Sequence, residues 1–148
     1  MTVYAESRVI MAPRSSVFDL VADVESYPEF LPLWRDATVY RIEGNNYYTE
    51  QEVALGRINE RFRTRTHLVR PMHIDVTSDD DHFDEFFIRW DFDTIGTGCR
   101  ISVALTWEMK VASLQAAIDH LLPRAARTMV AAFEKRALRS LGAPCAPT

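Results

Sequence analysis

The chain has 148 residues, enough for one domain that buries roughly two-thirds of its unfolded surface without covalent staples. With 21 acidic against 17 basic residues its formal net charge is -4, so nonspecific attraction of the whole molecule to nucleic acid or anionic lipid is disfavoured and any such contact needs a local patch. The two cysteines, Cys99 and Cys145, lack paired or metal-type spacing, the first residues lack the regions of a signal peptide, and no apolar run approaches the ~20 residues of a membrane span; the expectation is a cytoplasmic protein, at most peripheral at the inner face of the membrane.

Residues 2 to 11 have β character. Pro13, with Ser15 or Ser16 as N-cap, then opens a short helix carrying Val17, Phe18, Leu20, Val21 and Val24 at helical spacing. The string Asp23-Val-Glu-Ser-Tyr-Pro-Glu-Phe-Leu-Pro-Leu-Trp34 stops that helix. Pro28 and Pro32 remove backbone donors and push the preceding residues out of the α region, while Tyr27, Phe30, Leu31, Leu33 and Trp34 are too apolar for an ordinary loop. The pattern predicts an irregular lid over a hydrophobic space, the alternative being a segment that only packs on the core.

Extended segments follow over 35 to 43, 46 to 55, 58 to 69, 72 to 78, 84 to 93 and 99 to 111, separated by turns at Gly44-Asn45, Gly56-Arg57, Arg70-Pro71, Asp79-Asp80-Asp81 and Gly96-Thr-Gly98. Connections this short imply an antiparallel meander. Alternation assigns Phe86, Ile88, Trp90 and Phe92 to one inward face, and Ile101, Val103, Leu105, Trp107, Met109 and Val111 to the next. A two-residue turn at Gly56-Arg57 would pair Leu55 with Ile58 and Gln51 with Phe62 inside, and Glu52 with Arg61 and Glu50 with Arg63 outside.

From Ser113 as N-cap, one helical region reaches about Leu141, interrupted or restarted at Pro123. Ala125, Met129, Ala132, Phe133, Ala137 and Leu141 share one side of it, and Arg124, Arg127, Lys135 and Arg139 the other. The basic side is read as a solvated face, or as a contact for anionic lipid or ribosomal RNA. Residues 1 to 142 are expected to form a single unit, with 143 to 148 a frayed tail. The predicted class is α+β: a curved antiparallel sheet of about seven strands wrapped around one long C-terminal helix, with short helices after the first strand.

This order of elements, together with Asp23-Val-Glu-Ser-Tyr-Pro-Glu-Phe-Leu-Pro32, Phe62-Arg-Thr-Arg65, Trp90-Asp-Phe92 and Ala132-Phe-Glu-Lys-Arg-Ala137, resembles the coenzyme Q-binding, START-like family of the helix-grip (polyketide cyclase/START) superfamily. Two stretches depart from the family pattern: Leu33-Trp34-Arg35 stands where Trp-Cys is frequent, and Asp81-His82-Phe83 replaces a Gly-Pro-Phe turn. The resemblance implies binding of ubiquinone or a related polyprenyl lipid between sheet and helix, and its delivery to respiration or quinone biosynthesis as a chaperone. The same family contains ribosome-association toxins, which bind ribosomal subunits and block their association, and more remotely the superfamily contains aromatic polyketide cyclases.

The candidate lining is Phe62, Trp90, Phe92, Trp107, Met109, Leu122, Met129 and Phe133, with Tyr27, Phe30, Leu31 and Trp34 at the mouth; the large aromatics serve equally well as plain core. Strand parity turns Gln51, Glu60 and Thr64 inward, where they could bond to quinone oxygens, although Glu60 could instead be solvated at the hairpin end. Arg136 falls among apolar helix positions and either donates to a ligand carbonyl or to Glu60, or snorkels to the surface. No cofactor or metal is expected, because no nucleophile elbow, phosphate loop, zinc spacing or dinucleotide fingerprint occurs, and Asp79-Asp80-Asp81 lacks the spacing of a calcium loop. Nor do His67, His73, His82 or His120 fall where a cavity acid or base is needed, so catalysis is not expected.

Overall fold

Alternation and turn chemistry decide the strands of this chain, and the helices are decided by where their apolar faces can be buried. The computed structural model describes residues 2–55 and 57–142. In chain order the elements are β1 (Thr2–Ile10), α1 (Arg14–Ala22), a 3-10 turn (Val24–Ser26), α2 (Tyr27–Phe30), β2 (Trp34–Glu43), β3 (Asn46–Leu55), β4 (Ile58–Val69), β5 (His73–Thr77), β6 (Phe83–Ile95), β7 (Gly98–Met109) and α3 (Ala112–Gly142). The strands form one antiparallel seven-stranded sheet in the order β1-β7-β6-β5-β4-β3-β2, a meander closed by β1 beside β7. Gly44 and Gly96, at the turns of the β2–β3 and β6–β7 hairpins, both have a φ of 58°, a conformation that favours glycine.

The registers Leu55↔Ile58, Gln51↔Phe62, Glu52↔Arg61 and Glu50↔Arg63 are those the alternation predicts. Gly56 of the turn between them, and the tail with Cys145, lie outside the described residues. Phe86 and Trp107 face each other across β6 and β7, as do Trp90 and Val103, and these rows line the concave side. α3 lies against that side, touching β1, β7, β3 and α1, and it buries Ile118, Leu122, Ala126, Met129, Val130, Phe133 and Ala137. Arg124, Arg127, Lys135 and Arg139 stay exposed on its other side. No helix among the described residues is long and apolar enough to cross a membrane.

Several expectations need correction. Pro13 itself is the N-cap of α1, with φ -60° and ψ 143°, so Ser15 and Ser16 lie within the helix; the fixed φ of the proline already sets the entry geometry. α3 begins at Ala112, which puts Ser113 inside its first turn, and it runs through Pro123 without a break. One missing amide bond is tolerated there because Leu122 and Ala126 hold both sides of the proline against the core. β7 stops at Met109, leaving Val111 53% exposed instead of inward. The segment after α1 is more regular than its prolines suggest, since Pro28 occupies the first turn of α2, where its absent N–H would have had no partner.

Candidate functional site

Between the concave face and α3 is a cavity of about 90 Å³. Its floor is the inward side of the sheet, with Gln51, Phe62, Thr64, Thr66, Ile74, Phe86, Trp90, Leu105 and Trp107. α3 supplies Leu122, Ala125, Ala126 and Met129 as a roof, and the segment from α1 to β2 supplies Val21, Val24, Tyr27, Leu33 and Trp34. Among the described residues, no Asp, Glu, Lys, Arg or His lines it. The volume matters: an engineered cavity of ~150 Å³ holds a single benzene, and sites for drug-sized ligands start near ~300 Å³. The cavity as it stands takes at most part of a ring, so a larger guest must displace a wall.

One strip of the floor is polar. The Trp34 indole Nε1 donates to Gln51 Oε1 at 2.7 Å, and Gln51 Nε2 donates to the hydroxyls of Thr49 and Thr64, each at 3.0 Å. The Thr49 and Thr64 hydroxyls are themselves 2.5 Å apart. Thr66, two residues further along β4, is buried with an Oγ1 that has no hydrogen-bond partner. The strip exists because β3 and β4 pair Thr49 with Thr64 and Tyr47 with Thr66, directing these hydroxyls to the concave side.

The wall formed by the 24–34 segment is held by aromatic edges and two polar ties. Tyr27 is in the core, its hydroxyl donating to the Val21 carbonyl and its ring edge-on to Phe30, Trp34 and Phe133 with centroids 5.5 to 6.3 Å apart. Burial, and after it the Asp23 carboxylate, pushes the Tyr27 phenol far above its ordinary range, so it remains a neutral donor. Outside, the Arg136 guanidinium bonds Glu29 at 3.1 Å and lies 5.0 Å over the Phe30 ring, clasping α2 to α3.

The sequence-predicted residues divide accordingly. Tyr27, Trp34, Gln51, Phe62, Thr64, Trp90, Trp107, Leu122 and Met129 line the cavity. Phe92, Phe133, Leu31 and Met109 are buried but sit outside the lining, their side chains filling contacts between elements; Phe92, for instance, packs edge-on against Phe18 of α1. Phe30 is half-buried over Phe133 and backs the wall from outside. Glu60 turns to His82 in the β5–β6 loop, 3.3 Å away, and Arg136 goes to Glu29, so neither reaches the cavity or the other. The sequence reading missed Thr49 and Thr66, both signalled by the same parity that selected Thr64, and Leu105, Ile74 and the small residues Ala125 and Ala126 that leave the space open.

The four histidines all lie off the lining. His67 Nδ1 is 3.1 Å from Asn46 and His82 is held by Asp80 and Glu60, while no group of metal-ligating side chains occurs among the described residues.

Against known proteins, residues 10–134 match the family model described as polyketide cyclase/dehydrase and lipid transport. The chain belongs to that family. Within the polyketide cyclase and lipid transport family it is 34% identical, over 137 residues covering 92% of this chain and 95% of the relative, to the ribosome association toxin RatA of Pseudomonas aeruginosa. It is 26% identical over 145 residues to the mitochondrial coenzyme Q-binding protein COQ10 homolog B of Xenopus laevis, covering 94% of this chain and 59% of that one. Among solved structures, the Zhui aromatase/cyclase of Streptomyces sp. R1128 superposes with a TM-score of 0.87 at 13% identity, over 96% of each chain, and at that identity shares the fold alone. The START-like helix-grip architecture of the family is that of the sheet and helix described above.

Proposed function

We propose that this chain binds a neutral hydrophobic molecule of the polyprenyl quinone class, ubiquinone or a relative, between sheet and α3 and carries it without transforming it. The observation that supports this most directly is an uncharged, aromatic-walled cavity with one strip of hydroxyls on its floor. Each isoprene unit buried contributes roughly 3 to 4 kcal/mol before ordering costs, so two or so suffice for micromolar binding. Because the resting cavity is smaller than such a guest, loading moves the wall that carries Tyr27, Leu33 and Trp34, and Phe30 and the Arg136–Glu29 clasp with it. The test is mass spectrometry of lipids copurifying with the chain from a quinone-producing host, with Phe30→Ala as comparison. Stoichiometric quinone, depleted in the variant, supports the carrier reading; an empty chain that also refuses added quinone overturns it.

A second reading is supported by the 34% identity to a ribosome association toxin across nearly the whole chain. Here the partner is a ribosomal subunit, and the exposed Arg124, Arg127, Lys135 and Arg139 of α3 form the local basic patch that an acidic chain needs for contact with RNA. Reversing those charges separates the two readings. If the ribosome is the partner, the chain shifts the subunit profile in a density gradient and the reversed variant does not, while quinone binding is unchanged.

A further inference from the structure

The Gln51 amide nitrogen donates to both Thr49 and Thr64, while its carbonyl takes the Trp34 indole proton. Of the two threonine hydroxyl protons, one closes the contact between Thr49 and Thr64 and one is left over. Thr64 lines the cavity and Thr49 does not, so the favourable arrangement has Thr49 donating to Thr64 and Thr64 aiming its own proton into the cavity. Its oxygen then accepts from both Gln51 and Thr49, and with both lone pairs engaged it can only donate. On the same face of β4, ~6.6 Å along the strand at the usual rise per residue, Thr66 is 2% exposed and its buried hydroxyl is unpartnered. A buried hydroxyl without a partner is the group a ligand can most profitably satisfy.

We infer that Thr64 and Thr66 form a two-donor head-group site that selects neutral ligands bearing acceptor oxygens, and discriminates against carboxylic acids and against the hydroquinone form of the same ring. The inference rests on the carrier reading above. A carboxylate would be buried beside no Lys, Arg or His, which costs far more than two hydroxyl bonds return. A hydroquinone brings two protons that need acceptors; the Thr66 oxygen can take one, but the Thr64 oxygen, with both lone pairs engaged, can take none, so one hydroquinone hydroxyl is left unpaired. Carbonyl oxygens meet both donors and leave nothing unpaired.

The experiment is isothermal titration of the full chain with four probes of equal alkyl length: an alkyl 1,4-benzoquinone, its hydroquinone under anaerobic reducing conditions, the alkylbenzene without oxygens, and the alkanoic acid. The benzoquinone is expected to bind more tightly than the hydroquinone and the acid. Thr66→Val is expected to weaken the benzoquinone roughly two- to ten-fold, the range of one neutral hydrogen bond, and to leave the alkylbenzene unchanged, with Thr66→Ser restoring the benzoquinone. Melting of Thr66→Val at or above the wild-type temperature shows that the fold is intact. An unchanged benzoquinone-to-alkylbenzene ratio in Thr66→Val, or an acid that binds as tightly as the benzoquinone, overturns the head-group site while leaving a hydrophobic carrier. Failure of all four probes to bind, alkylbenzene included, overturns the carrier reading itself and this site with it.

Discussion

Two groups of aromatic rings border the cavity, and they are built differently. Phe62, Phe83, Phe86 and Trp107 come only from the sheet, and every pair among the four is in ring contact at 4.8 to 6.5 Å. Tyr27, Phe30, Trp34, Trp90 and Phe133 come from α2, β2, β6 and α3, and Tyr27 and Phe133 are the two hubs, Phe133 touching Tyr27, Phe30 and Trp90 at 5.4 to 5.5 Å and Tyr27 touching Phe30 and Trp34 as well. The first group is set within one sheet, by β4, β6 and β7, with Phe86 directly opposite Trp107 and a register shift between Phe83 and Glu85. The second exists only when three layers meet, and its outer members Phe30 and Trp34 are half-exposed. On the carrier reading proposed above, the sheet group holds its shape while the other opens, with the route into the cavity at the Tyr27 to Trp34 wall.

Removing a hub ring is the largest way to break this contrast. Phe133→Ala, at a site with 0% exposure, is expected to cost about 3 to 5 kcal/mol, and Phe86→Ala a similar amount, by the usual range for buried aromatic truncations. Chemical denaturation checks both. They should differ in mechanism: loss of Phe133 releases α2 from α3 and raises protease susceptibility within 23–34, whereas loss of Phe86 lowers global stability without that local signature. Equal protection of the segment in both variants would remove the distinction between the two groups.

Smaller changes sharpen it. Phe30→Ala loses a half-buried ring together with the Arg136 stacking contact, and about 1 to 2 kcal/mol is expected, roughly half the cost of a fully enclosed ring. Ligand entry should quicken in this variant while affinity falls, read from stopped-flow quenching of Trp34, Trp90 and Trp107. If Phe30→Ala unfolds the chain, the segment is core and not a moving wall.

The strands and their registers were legible because period-2 alternation and short turns leave few solutions: Gln51 opposite Phe62 follows from counting back from one hairpin. The segment from Asp23 to Trp34 was legible as apolar and proline-bounded but not as helical, since the same Pro28 that breaks a helix interior is harmless in a first turn. Within the cavity, parity found Thr64 and Gln51 and, applied evenly, finds Thr66 as well. What parity cannot reveal is depth: Phe92 and Trp90 share a face, yet Phe92 meets Phe18 of α1 and Trp90 meets the cavity, because α1 covers only one end of the sheet. Glu60 and Arg136 escaped for a related reason, each finding an opposite charge on a loop or short helix whose position no strand pattern encodes.

The smallest expected effect concerns pH, and it separates the two ends because the 23–34 segment contains no histidine while His82 adjoins Phe83 of the sheet group. The hydrogen bond to Asp80, against a smaller opposing effect of desolvation, raises the His82 pKa above 6.5, with the Asp80, Glu60 and Asp81 charges adding to it. For Asp80, burial pushes upward, but hydrogen bonds from His82 and the Arg63 and His82 amides outweigh it and hold the carboxyl below 3.8. A raised histidine contributes its stability fully below the unfolded value and loses it as pH rises through the folded one; a depressed aspartate contributes above its unfolded value and loses it as pH falls. The loop is therefore tied most firmly between pH 3.8 and 6.5. With the His82 side chain 41% exposed, solvent screening limits the contribution to about 0.5 kcal/mol. Urea denaturation of wild type and His82→Gln should differ at pH 5.5 and converge at pH 8.5, and a gap that stays constant across that interval would mean that the Asp80–His82–Glu60 contacts do not tether the sheet end.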